Sequence, residues 1–148
     1  MKDASLHKQY LFNMQKLNID PTEKTPEILF SPEDNIFMIK GISRPENSRA
    51  VFIPVLDWLA GYKEMLSEEK PVYSPENPFT LQIDLEYFNS SSAKFLYDSI
   101  KTVKSFSTLG IPAIIEWTWD PEDPESLEAG EDLAELAGIE FAFTKRQV

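Results

Sequence analysis

The chain has 148 residues, 42% hydrophobic and 12% aromatic, which is enough to bury a core and excludes a disordered chain. Fourteen Lys and Arg against 25 Asp and Glu give a formal net charge of −11, a balance that repels phosphate backbones and anionic lipid, so neither nucleic acid nor a membrane surface is an expected partner. Cysteine is absent and His7 is the single histidine, which excludes disulfides, thiolate nucleophiles and thiolate or multi-histidine metal sites, and obliges any Ser–His–Asp triad to recruit that one residue.

No run of 18 apolar residues occurs, so no membrane-spanning helix is predicted. Residues 1–8 lack the apolar core of a secretory signal, and a cytoplasmic location is expected. Leu6, Tyr10, Leu11, Met14 and Leu17 recur at helical spacing, which predicts a helix or arm over 1–18, ahead of one domain over 19–148. Residues 20–26 read as a connector. Two short strands follow, 27–30 and 36–42, around the turn formers of 31–35.

After the polar loop 43–48, the stripe Phe52, Val55, Leu56, Leu59, Tyr62 and Leu66 predicts a helix over about 49–68. Pro54 is expected to delay its regular part until near that residue. The linker 70–78 holds three prolines. Residues 79–88 alternate, with Phe79, Leu81, Ile83, Leu85 and Tyr87 on one face and Thr80, Gln82, Asp84 and Glu86 on the other. A strand covered by helices on both faces reads as a continuous apolar run, so this pattern predicts one covered and one wet sheet face.

A second helix is predicted over 91–105, with Ala93, Leu96, Ile100 and Val103 on its buried side, and Gly110 closes the connection that follows. A strand over 113–119 comes next. A short helix over 126–137 begins inside the acidic tract 120–132, and an edge strand over 139–143 ends the pattern. The order β-β-α-β-α-β-α-β places the chain in the α/β class, with mostly parallel neighbours and right-handed crossovers.

The chemistry-bearing segment is Asn89-Ser90-Ser91-Ser92, where a strand ends and a helix begins. Such a junction directs free backbone N–H groups and the positive end of the helix dipole outward. A hydroxyl there is presented to solvent, and phosphorylation would add roughly −1.5 to −2 charges beside those amides. The plainer reading is capping, with Asn89, Ser90 or Ser91 accepting from a helix N–H.

Together with Arg44-Pro45-Glu46-Asn47-Ser48, Phe52, Pro54, Asp57-Trp58-Leu59, Trp117, Trp119 and Glu128-Ala129-Gly130-Glu131-Asp132, this turn resembles the SiaC-type biofilm-regulation phosphoproteins over roughly 19–143. Their corresponding turn reads Asn-Thr-Ser-Ser. More distantly it resembles the Asp-Ser-Ser-Gly phosphorylation turn of STAS domains, the anti-sigma-factor antagonists. The resemblance implies a STAS-like two-layer fold: a mixed, mostly parallel sheet with helices packed on one face. It also implies a non-enzymatic signal-transduction protein without a cofactor or metal. A dedicated protein kinase would phosphorylate it, a PP2C-type phosphatase would restore it, and partner switching would control a signalling client such as a diguanylate cyclase. Carried onto this chain, the phosphorylation site is Ser90, with Ser91 as the alternative. The partner-binding set is Asn89, Ser90, Ser91, Glu46 and Asn47. Ser90 stands where the family usually has threonine, and Asn89 and Ser92 replace the aspartate and glycine of STAS domains.

Two rival readings come from the residues themselves. Asp84, Glu86 or Glu116 could serve a carboxylate-based hydrolase, but their strand spacing puts Asp84 and Glu86 on the wet face, where nothing raises a carboxyl pKa for acid work. A constitutive scaffold would use Ser90 only as a cap. The acidic tract does not fit an EF-hand: counted from Asp120, the sixth position is Glu125 instead of glycine. It reads as a solvated loop or as a patch that steers a basic partner. Trp117 and Trp119 share a strand face with Ala113 and Ile115, which favours packing over an aromatic binding platform.

Overall fold

A computed structural model describes residues 16–68 and 73–147. Of the predicted leading helix or arm, residues 1–15 lie outside the described residues; its end is a strand instead, because β1 (Leu17–Ile19) pairs antiparallel with β2 (Glu27–Ser31), setting Leu17 opposite Phe30 and Ile19 opposite Ile28. Three residues are too few to declare an alternation, so only the partner strand reveals this element.

β2 turns into β3 (Ile36–Ser43) through Asn35, whose φ of 54° lies in the left-handed region that asparagine tolerates. From β3 onward the chain winds in one direction. Helix α1 (Ser48–Ser67) leads to β4 (Phe79–Phe88), and α2 (Ser90–Lys104) with a 3-10 turn (Ser105–Leu109) leads to β5 (Ala113–Trp119). Helix α3 (Pro124–Ala137) leads to β6 (Phe141–Lys145). The sheet order is β1-β2-β3-β4-β5-β6, antiparallel across the first two pairings and parallel across the last three. This is a mixed, mostly parallel sheet in a two-layer α/β fold.

One sheet face is covered. Ile28, Phe30, Phe37, Ile39, Phe79, Leu81, Ile83 and Ile115 are buried against Phe52, Val55, Leu59, Tyr62 and Leu66 of α1 and Leu96, Ile100 and Val103 of α2. Phe37 anchors an aromatic cluster, with ring centroids 4.5 Å from Phe79, 5.7 Å from Tyr62 and 5.8 Å from Trp58. Trp58 is also buried on α1, whereas Leu56, placed in the stripe by spacing, is half-buried. α3 packs on β5 and β6, where the Trp117 Nε1–H donates to the Ser126 carbonyl at 2.9 Å.

Two local expectations are corrected. Helix α1 begins at Ser48 and carries Pro54 in its interior, instead of starting near it. The proline removes one N–H from the ladder, but the carbonyl it deprives is that of Ala50, an exposed residue whose acceptor water can serve. Tyr87 does not join the buried face of β4; it is 52% exposed. The register with β3 shifts there, because Gly41 pairs with Leu85 and Ile42 with Tyr87, so Glu86 is skipped. Gly41 has φ 118°, a conformation that favours glycine, and the resulting bulge re-aims the last side chains of β4.

Candidate functional site

β3, β4 and β5 run parallel, so the turns that follow them gather at one end of the sheet. There α1, α2 and α3 begin side by side. Asn89 caps α2: its Oδ1 accepts the Ser92 N–H at 2.9 Å, while its own N–H donates to the Ser43 carbonyl at 2.9 Å. Asn47 caps α1 in the same way, accepting the Ala50 N–H at 3.2 Å. In both loops an asparagine supplies the cap acceptor, which leaves the serines for other contacts.

The three serines of the turn have different fates. Ser92 is fully buried, and its hydroxyl lies 2.7 Å from that of Ser43 at the end of β3 and 3.2 Å from the Ser43 carbonyl. Ser91 is exposed but engaged, donating to Asn89 Oδ1 at 3.1 Å and sharing a 2.5 Å hydrogen bond with the Ser48 hydroxyl in the first turn of α1. Ser90 is exposed at the first helical position, and its hydroxyl has no hydrogen-bond partner among the described residues. The N–H groups of a helix's first turn beside it carry partial positive charge.

The parallel pairing of β3 and β4 puts loop 44–47 and the serine turn at the same end of the sheet. The Ser48–Ser91 and Ser43–Ser92 bonds stitch loop 44–47 to the serine turn. Asn47 therefore stands next to the Asn89-Ser90-Ser91 cluster. Glu46, with a side chain 92% exposed, lies 3.9 Å from Lys24 and has no hydrogen bond to the serines. Ser43 and Ser48 were not legible as site residues, since their partners lie 49 and 43 positions away. The charges flanking the two loops in sequence are mixed, with Arg44, Arg49 and Lys94 against Glu46 and Glu86, all exposed. The acidic tract sits one strand over, after β5, where Asp120 Oδ1 accepts the Glu122 N–H at 2.8 Å.

Of the three carboxylates weighed for a hydrolase, Asp84 is held in an ion pair. Asp84 accepts from Arg146 Nη2 at 2.6 Å and Nε at 3.2 Å, and Arg146 Nη1 lies 3.6 Å from Asp120. Glu116 stands across from Gln82 in the β4–β5 register, and Glu86 is exposed. The open hollow beside them, about 190 Å³, is lined by Lys40, Gly41, Asp84, Glu86 and Arg146, two acids and two bases. Among the described residues no group of three or more His, Cys, Asp or Glu side chains is placed to hold a metal ion, and no helix is long and apolar enough to cross a membrane.

The sequence profile of the SiaC family regulatory phosphoproteins matches residues 19–146. This chain belongs to the SiaC family. The complex of diguanylate cyclase SiaD with its activator SiaC, from Pseudomonas aeruginosa, contains a chain that superimposes with a TM-score of 0.74 at 27% identity, over 88% of the present chain and 99% of that one. Apo-SiaC from the same organism superimposes with a TM-score of 0.71 at 27% identity, over 88% and 98%. A further Pseudomonas aeruginosa protein, known only as uncharacterized, is 28% identical over 129 residues, 87% of this chain and 95% of its own length. The SiaC-type resemblance seen in the serine turn, the Arg44–Ser48 loop and the Glu128–Asp132 segment thus extends through the fold.

Proposed function

We propose that this chain is a non-enzymatic, cytoplasmic phosphoswitch: Ser90 is phosphorylated by a protein kinase, restored by a PP2C-type phosphatase, and in its unmodified form engages a signalling client such as a diguanylate cyclase. The observation that carries the reading is the contrast within one turn. Ser92 is sealed and Ser91 is bonded, while the Ser90 hydroxyl is exposed and unengaged. Membership of a regulatory phosphoprotein family, and likeness to a protein described as the activator of a cyclase, support the client half of the proposal.

The switch is electrostatic. The unmodified turn presents Asn89, Ser90, Ser91 and Asn47, neutral groups that a partner can cover at little desolvation cost. A phosphate on Ser90 would bring nearly two negative charges into that contact, and burying them without a matched cation costs several kcal/mol. Ser90→Asp is expected to weaken client binding by about 2–5 kcal/mol, and Ser90→Ala to bind like the unmodified chain while resisting the kinase. Phosphopeptide mapping of protein from the native host, with titration calorimetry of both variants against the client, tests this. Phosphate found only on other residues, or equal affinity for the Ala and Asp variants, overturns it.

A further inference from the structure

We propose that residues 1–15 fold back as an amphipathic helix across the uncovered face of the sheet, adding a third layer at the end away from the serine turn. This goes beyond the phosphoswitch and does not depend on it. Among the described residues all three helices lie on the other face, yet the uncovered face is not uniformly polar. Leu29, Met38 and Ile114 are half-buried there, and they stand outside both the core and the side chains packed against it. Ile36 beside them is 37% exposed. The registers set these residues at one end of the sheet. Leu29 pairs with Met38 and Ile114 with Thr80, while Ile36 comes two residues before Met38, which pairs with Gln82. The apolar positions therefore form a band across the strands; along the strands Lys40 and Asp84 interrupt it. A helix laid across the strands covers such a band, whereas one laid along them does not.

The chain itself delivers residues 1–15 to this band. β1 and β3 both run antiparallel to β2, so the start of β1 lies at the Ile36 end of the sheet. There Lys16 Nζ stands 3.7 Å from Asp34, in the turn just before Ile36. Leu17 packs against the core, so alternation turns Lys16 toward the uncovered side. Leu6, Tyr10, Leu11 and Met14 share one face at helical spacing. Lengths agree as well. At about 1.5 Å per residue, Tyr10 lies about 9 Å from Lys16 and Leu6 about 15 Å. At about 4.8 Å per strand, β3 lies about 10 Å from β1, β4 about 14 Å and β5 about 19 Å. Tyr10 thus comes over Ile36 and Met38, and Leu6 between Thr80 and Ile114. The charges are complementary too. The segment carries Lys2 and Lys8 against Asp3, and the uncovered face carries Glu27, Asp84, Glu86 and Glu116 against Lys40 and Arg146. A tether this short gives an effective concentration of about millimolar, so a modest apolar contact holds the segment in place. It lies ahead of the family domain at 19–146, as an addition to that fold.

Paired cysteines in the full chain, which has none of its own, test this with a short bis-maleimide cross-linker. The matched pairs are Tyr10→Cys with Ile36→Cys and Leu6→Cys with Ile114→Cys. The swapped pairs are Tyr10→Cys with Ile114→Cys and Leu6→Cys with Ile36→Cys. Tyr10→Cys with Lys101→Cys, on the exposed side of α2, is the control. The matched pairs are expected to link within one chain about tenfold faster than the swapped and control pairs, because docking fixes which positions meet. Amide hydrogen exchange gives a second reading without cysteine. Residues 6–14 of the unmodified chain are expected to exchange about tenfold or more slowly than an unstructured peptide, and Tyr10→Lys is expected to abolish that protection while a thermal melt shows the domain still folded. Unprotected amides in the unmodified chain, equal rates for matched and swapped pairs, or links formed only between chains would each overturn the proposal. The last outcome would assign the face to a second copy.

Discussion

Tyr62 and Tyr73 face each other inside the core with their hydroxyl oxygens 2.6 Å apart, so each supplies the other's hydrogen bond. Burial pushes Tyr62 up from 10.0 to about 12, with the bond from Tyr73 partly offsetting it. Burial first, and then Tyr62 itself, push Tyr73 higher still. Both phenols thus hold their protons in the folded chain at pH values where the unfolded chain has lost them. Their contribution to stability is full below pH 10, and it drains away as pH rises from there through about 12. Urea denaturation across that window is expected to show stability falling with pH. Tyr73→Phe should cost about 1–3 kcal/mol at neutral pH, because it leaves the Tyr62 hydroxyl buried without its partner. The double change Tyr62→Phe with Tyr73→Phe should cost less than the sum of the single changes, since it removes both polar groups together.

Among the elements, α3 depends on a glycine that helix propensity alone would remove. A Cβ on Gly130 would lie 2.5 Å from Nε1 and 2.6 Å from Cδ1 of Trp117, and that indole is fixed by its bond to the Ser126 carbonyl. On an open helix, Gly→Ala gains about 1 kcal/mol. Here Gly130→Ala is expected to destabilise by about 1–3 kcal/mol, because the ring must leave its seat. Thermal melting followed by tryptophan fluorescence would read both the loss and the movement of Trp117; an unchanged or raised midpoint would show that the ring yields freely. The α2 terminus follows a similar logic of neighbours. Its cap was expected from the local residues, but bonds that fix Ser91 and Ser92 come from Ser48 at the start of α1 and Ser43 at the end of β3.

At the scale of the molecule, the parallel winding puts loop 44–47, the serine turn and the acidic turn after β5 at one end of the sheet. A net charge of −11 surrounds that end with a negative field. Association with a basic kinase or client is therefore expected to slow as salt rises, with dissociation little changed. Stopped-flow association rates across a salt series check this, and a flat series would mean that the acidic tract steers nothing.

The alternating pattern of β4, the stripes of α1 and α2 and the polar–apolar rhythm of β5 were legible because periodicity is a local property, set by which side chains one face must bury. The class of fold and the location of the serine turn at a strand-to-helix junction follow from it. β1, the Tyr87 bulge and the unbroken helix through Pro54 were not, because each depends on what lies alongside: a partner strand, a register shift at Gly41, an exposed carbonyl. The same division runs through the site. Local sequence sufficed to place three serines in one turn, with asparagine in front. Which of them is sealed, which is bonded and which stands free was decided by β3 lying parallel to β4, since hydrogen bonds between residues more than forty positions apart exist only once the sheet has formed.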